Sequence, residues 1–317
     1  MWRSRVLGIL VGLVAVLAVG LGLQGTATRS IPVPHAPVPR PVVAPAPPPA
    51  PPVLAVKVDN APAARPPTGI AAADVVFVEP VEAGITRIIA VFAAHLPPVV
   101  GPVRSARQTD LRLLPEFGHP TLAYSGAAPE LLPAIARAPV NNASEATLPA
   151  AFFRGPGQAP HNLFVRPSRL PAGAPWSPAA PLVFGQPPAG GAPDTAAEVR
   201  YSAARVGFDW DAAQQRYLVS MDGSPYATSD GERLGASTVV LQRVPVSAGS
   251  YVEDVAGNVS PYADTVGSGE ALVLRDGLAH QARWSRPSPE AGTTYTTSSG
   301  QPLPFAPGQV WIVLVPA

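Results

Sequence analysis

Apolar and polar positions alternate along much of the chain, and the alternation marks out short strands. In VLAVKVDN, residues 53 to 60, Val56 and Val58 alternate with Lys57 and Asp59. That period of two predicts a strand with one apolar face, ended by the turn-forming Asp59-Asn60 pair. The run ADVVFVEPVEAGITRIIAVFAA holds two more β-rich stretches, Val75 to Val78 and Thr86 to Ala93, joined across Pro80 and Gly84. GPVRSARQTDLRLL then changes the period: Ser105 and Gln108 fit a capping box, which predicts a helix from near Ala106 to Pro115. A short strand, TLAYSGAA, and a helix at PELLPAI follow. Alternating strands and helices predict an α/β (or α+β) domain over residues 54–180.

Beyond the Pro, Ala and Gly-rich stretch from Pro171 to Ala192 the helical period disappears. Segments such as RVGFDWD, RYLVSMDG, EALVLRDG and QVWIVLV are short, alternating and separated by Gly, Asp, Ser and Pro. They predict an all-β sandwich or barrel-like domain over residues 181–317, of roughly seven to nine strands. Phe208, Trp210, Tyr217, Trp284 and Trp311 fit its core better than a sugar-stacking platform, because alternation of aromatic with polar positions is what a sandwich core requires.

The first 53 residues belong to neither pattern. Arg3 and Arg5 precede 18 residues, Val6 to Leu23, without a charge. Residues 1–27 therefore read as a signal anchor or a signal peptide, and the length of the apolar run favours the anchor. The basic flank places the rest of the chain outside the cytoplasm, as a single-pass membrane protein. In residues 28–53 proline dominates, with 11 of the 23 residues from Ile31 to Val53. Such a segment predicts an extended polyproline spacer or a plain solubilising tether.

Composition removes several classes of function. No cysteine is present, which excludes disulfides and a lipid-modified Cys. The only lysine among 22 basic residues is Lys57. Arginine is thus partly a coding habit, and a lone strand lysine reads first as part of a solvated face. Residues 54 to 180 carry net charge +2 and residues 181 to 317 net −5, so neither half has the basic footprint of a nucleic-acid binder. No cofactor motif occurs.

A set of motifs resembles the YerB-like family of bacterial envelope lipoproteins (DUF3048 N- and C-terminal domains). VKVDN, ARPPTGIAAADVVF, VEAGITRIIAVF, GPVRSAR, YSGA, APHN, GSGEALVLRDG, RWSRP and GQVWIVLVP carry the resemblance, in order, over nearly all of residues 54 to 317. It implies an N-terminal mixed domain, a C-terminal β domain and an extracytoplasmic envelope setting, but no reaction. Two departures stand out. The lipidated Cys is missing, so an apolar helix would take the place of the lipid. Ala83 stands where the family often has the first Gly of a Glu-Gly-Gly run.

Two groups of residues carry candidate chemistry. Arg104 and Arg107 flank Ser105, and Arg87 follows Gly84-Ile85-Thr86. With Ser125, Asn60 and Asn162 they make a candidate ligand-binding set, because guanidinium forks match carboxylates and phosphates. The competing reading pairs these arginines internally with Asp74, Glu79, Glu82 or Asp110. His161 lies in the loop sequence RGPGQAPHNLFV and is a candidate general base with Glu82 or Asp59; its competing role is to hold the loop. No second His lies at ligand spacing, so no metal site is expected. His95 and His119 read as surface residues. The expected function is a membrane-anchored envelope module binding an anionic cell-wall component or an envelope partner. The alternative is a cell-wall hydrolase using His161 and a carboxylate.

Overall fold

Strands Leu54–Asp59 (β1), Val75–Pro80 (β2) and Thr86–Phe92 (β3) are buried at every position. A strand with one apolar and one wet face is therefore not what forms. A computed structural model describes residues 50–176, 182–253 and 257–317, and in it both faces of these strands are covered. Even-numbered Val56, Val58, Val76, Val78, Ile88 and Ala90 join one core; odd-numbered Ala55, Val75, Phe77, Ile89 and Val91 join another. Lys57 shares the second face with them and is fully buried, not solvated.

The first segment continues with helix α1 (Gln108–Leu113), β4 (Thr121–Tyr124), α2 (Leu132–Arg137), β5 (Asn141–Ser144), β6 (Phe152–Arg154) and β7 (Leu163–Val165). Both helices have only six residues. The α/β layer expected from residues 54–180 does not form: β1, β2 and β3 pair antiparallel, which needs no crossover helix, and only β4 and β5 join in parallel. The fold is β-rich throughout.

The second segment adds β8 (Ala192–Pro193), β9 (Ala196–Arg200), β10 (Arg205–Asp211), β11 (Arg216–Met221), β12 (Ser224–Pro225), β13 (Gly235–Ala236) and β14 (Thr238–Val244). It ends with β15 (Val246–Val252), β16 (Val259–Ala263), β17 (Gly267–Arg275), β18 (Leu278–Arg286), β19 (Thr294–Thr297) and β20 (Val310–Pro316). These strands do not close on themselves as a sandwich or barrel. The C-terminal β20 runs parallel to both β14 and β2, with Val75 opposite Val310 and Val78 opposite Val313. One eleven-stranded sheet results, in the order β19-β18-β17-β14-β20-β2-β3-β1-β4-β5 with β8 on β18.

A second sheet, β12-β11-β10-β9 with β13 on β11, contributes Phe208, Tyr217 and Val219 to the core on the even-numbered face. Phe208 meets Trp311 edge-on, with ring centroids 6.0 Å apart. Trp284 is buried in the other core, and Trp210 is half-buried against Tyr217. On the odd-numbered face, Leu113, Leu114, Phe117, Leu131 and Ile135 from the helical segments pack down. The β15–β16 hairpin lies over α1, where Gln108 Oε1 accepts from the Ser250 amide at 2.8 Å and Thr109 Oγ1 from the Ala263 amide at 3.1 Å.

Residues 48–317 are a self-contained compact unit with both cores and all four sheets. The expected anchor, residues 1–27, and all of the expected spacer before Ala50 lie outside the described residues. Among the described residues no helix is long and apolar enough to cross a membrane.

Candidate functional site

Register brings the charges together. Asp59 lies opposite Arg87 across β1 and β3, and Glu79 lies opposite Arg87 across β2 and β3. Lys57, Asp59, Glu79 and Arg87 all occupy odd-numbered positions, so they share the face on which α1 packs. The end of that face is a charged layer roofed by α1 and the β15–β16 hairpin.

Its innermost part is Lys57, whose ammonium donates to Glu79 and, at 2.6 Å, to Asp110. All three side chains are fully buried. One cation faces two carboxylates in a dry site. Burial, then the negative Asp110, push the Glu79 carboxyl up to about 7 despite Lys57. Asp110 also caps α1, because its Oδ2 accepts from the Arg107 amide at 2.7 Å. The expected capping box at Ser105 and Gln108 does not form: Arg107 is the N-cap, and Asp110 supplies only one half of a box, because a guanidinium cannot accept from a backbone amide. Ser105 instead gives its carbonyl to Arg87, and its hydroxyl lies 3.5 Å from that of Ser125.

The middle part answers which anion the arginines face. Glu82 takes Arg87 at 2.6 Å, Arg107 through both Nε, at 2.9 Å, and Nη2, and the Ser260 hydroxyl at 3.2 Å. Burial alone would raise the Glu82 carboxyl, but Arg107 and Arg87 outweigh it and hold it at about 2. Arg107 also meets Glu253 at 3.3 Å. Burial, with Arg107 close by, lowers the Arg87 guanidinium to about 10. Arg87 and Arg107 are thus spent inside the protein.

The outer part is different. Asp59, 2% exposed, pairs with the Arg104 Nε at 3.1 Å and the His161 Nδ1 at 2.7 Å, and accepts from the Ala61 amide at 3.1 Å. Arg104 and His161 are 25% and 24% exposed. With Nδ1 committed to Asp59, Nε2 is the ring nitrogen left for a ligand or a proton. The carboxylate partner of His161 is Asp59; Glu82 belongs to the arginines.

The remaining candidates hold structure. Asn60 is buried, donates to Thr86 Oγ1 at 2.8 Å and accepts from the Tyr226 hydroxyl at 3.1 Å. Asn162 donates to the Gly157 carbonyl at 3.1 Å and so fixes the His161 loop. His95 and His119 are exposed. Among the described residues no three His, Asp or Glu side chains converge on a metal position. Sequence reading gave no place to the Lys57–Glu79–Asp110 cluster or to Glu253. The available signal was charges set inside otherwise apolar strand runs, AVKVD and VVFVEP, in a chain with one lysine.

These features describe a class: a β-rich protein whose two segments are locked by a buried ion network that ends in an exposed Arg–Asp–His cluster. Residues 41–178 match the family described as "Protein of unknown function (DUF3048) N-terminal domain", and residues 197–312 match its C-terminal domain. The chain belongs to this YerB-like family. It is 28% identical over 279 residues to "Putative lipoprotein YerB" of Bacillus subtilis (strain 168), covering 83% of this chain and 81% of that protein. The crystal structure of YerB protein from Bacillus subtilis superposes with a TM-score of 0.72 at 22% identity, over 84% of this chain and 92% of the other. That likeness is one of fold.

Proposed function

We propose that the chain is an extracytoplasmic envelope protein, held at the membrane by its N-terminal apolar segment, that binds an anionic envelope component at Arg104 and His161. One observation carries this reading. A buried carboxylate, Asp59, holds two cation-forming side chains that each remain about a quarter exposed, while the deeper Arg87 and Arg107 are consumed by Glu82. An incoming phosphate or carboxylate meets oriented donors without having to break the inner network. Similarity to a protein named as a lipoprotein supports the envelope setting.

Thermal unfolding of residues 48–317 with phosphate, sulfate and soluble wall fragments tests the binding. Stabilisation that Arg104→Ala removes supports it, and indifference to every anion refutes it. Fractionation of the full chain with membranes, against release of a shortened product, tests the anchor.

A second reading rests on the 2.7 Å contact between His161 and Asp59. An oriented imidazole with Nε2 available is the arrangement of a general base that activates water on a wall polymer. Turnover of wall fragments abolished by His161→Gln would favour it over simple binding.

A further inference from the structure

A cavity of about 470 Å³ opens beside His161, within the range that small-molecule sites occupy. Its apolar wall is built from Phe153 and Phe164 with Val99, Pro66, Pro102 and Pro156. The two phenyl rings stack with centroids 5.8 Å apart and planes 27° from parallel. Arg166 covers Phe153 at 3.9 Å. Backbone seats Phe164: a Cβ on Gly155 would lie 2.5 Å from its Cε2, and one on Gly101 would lie 2.6 Å from its Cδ1. The wall is preformed, and the ring faces are largely used by protein. The phenylalanines and prolines make a surface for packing hydrocarbon.

The polar lining is sparse and of one sign. Among the described residues, Arg65 and His161 are the titratable ones of the lining, and no Asp or Glu belongs to it. Their counter-charges stand elsewhere: Asp222 pairs with Arg65 at 2.7 Å and Asp59 with His161. Thr68 and Ser229, hydroxyl to hydroxyl at 2.8 Å, add a neutral polar spot from both segments of the chain. The combination is an apolar chamber with cation-forming donors and no carboxylate at its wall.

We propose that this cavity binds the hydrocarbon part of a small amphipathic anion, with the anionic group on His161, which lines the cavity, and on Arg104, which lies outside the lining and shares Asp59 with His161. This rests on the reading of those two residues as the anion site and adds the class of ligand. Empty, the chamber exposes apolar surface to water at roughly 25 cal/mol per Å². A ligand with both parts gains from covering that surface, whereas a simple anion does not.

The probe is 1-anilinonaphthalene-8-sulfonate, an amphipathic anion whose fluorescence reports burial, titrated into residues 48–317. Expected are saturable binding, intermolecular NOEs from the dye to the Phe153 and Phe164 ring protons of the unmodified protein, and at least tenfold weaker binding in Val99→Phe and in His161→Gln. The NOEs keep the test valid if Val99→Phe fails to fold. Absent saturable binding, NOEs to other residues only, or a folded Val99→Phe that binds unchanged would overturn the inference. The two readings fail separately. Phosphate stabilisation lost in Arg104→Ala, together with no dye in the cavity, removes the amphipathic ligand and leaves the anion site. Dye held as expected with no effect of phosphate supports the cavity and removes the simple-anion site.

Discussion

Asp59 Oδ2 accepts from His161 Nδ1 at 2.7 Å, across 102 residues of sequence. The same oxygen takes Arg104, so one carboxylate sets the orientation of both outward-facing donors. Asp59→Asn keeps the shape and removes the competing charge. It should cost about 1–3 kcal/mol in urea melts, because two charge-assisted contacts weaken at a buried group. Phosphate, freed of that competitor, should bind several-fold more tightly by calorimetry. A general-base role gives the opposite outcome, loss of turnover in wall-fragment assays.

Arg107 and Arg104 should separate by size of effect. Arg107→Ala leaves Glu82 short of its main partner inside the protein and should destabilise by about 3–5 kcal/mol, whatever anion is present. Arg104→Ala takes from the buried Asp59 one of its two cation-forming partners and should cost about 1–3 kcal/mol, less than Arg107→Ala, while abolishing stabilisation by phosphate. Urea melts of both variants with and without phosphate check the contrast; equal losses would put Arg104 in the structural network as well.

Glu79 makes stability fall as pH rises. The folded carboxyl keeps its proton up to about 7, and the unfolded one releases it near 4.5. Between those values unfolding releases a proton, so the folded state loses up to about 3 kcal/mol across the window. Glu82 has the opposite sign: its contribution is present above 4.5 and lost as pH falls toward 2. Glu79→Gln imitates the protonated state and should flatten the slope between pH 5 and 7. Urea midpoints at the two pH values measure it, and an unchanged slope would mean that Glu79 is ionised throughout.

Ala83 has φ of 57° and ψ of 17°, a left-handed conformation that costs a residue with a Cβ about 1–2 kcal/mol. Ala83→Gly should therefore stabilise, by about 0.5–1 kcal/mol once the greater freedom of the unfolded glycine is subtracted. A thermal midpoint that rises by a few degrees confirms it, and a fall would place the strain elsewhere in the loop.

The sequence by itself determined where the strands lie, because short β-branched and apolar runs bounded by turn-forming residues are a local property. It located β1, β2 and β3 to within a residue or two, and the aromatic residues as core. Family motifs mark the chain as YerB-like, and Arg87, Arg104, Arg107, Asp59 and His161 stand out in the sequence as charges within or beside those motifs. Tertiary structure decided the rest. The helical segments and the β15–β16 hairpin cover the odd-numbered face of the central strands and the second sheet covers the other, and only then does Lys57 change from a solvated lysine into the centre of a dry cluster. No local pattern holds that information, since burial of the two faces depends on α1, whose Asp110 lies 53 residues beyond Lys57, and on strands of the second segment. The cap moved from Ser105 to Arg107 because Asp110 serves α1 and Lys57 together. His161 met Asp59, and Glu82 went to the arginines, because β-sheet register aligned Asp59 with Arg87 at the strand end while a loop 102 residues further on closed over it. Residue types announced that charges would pair; geometry alone chose the partners.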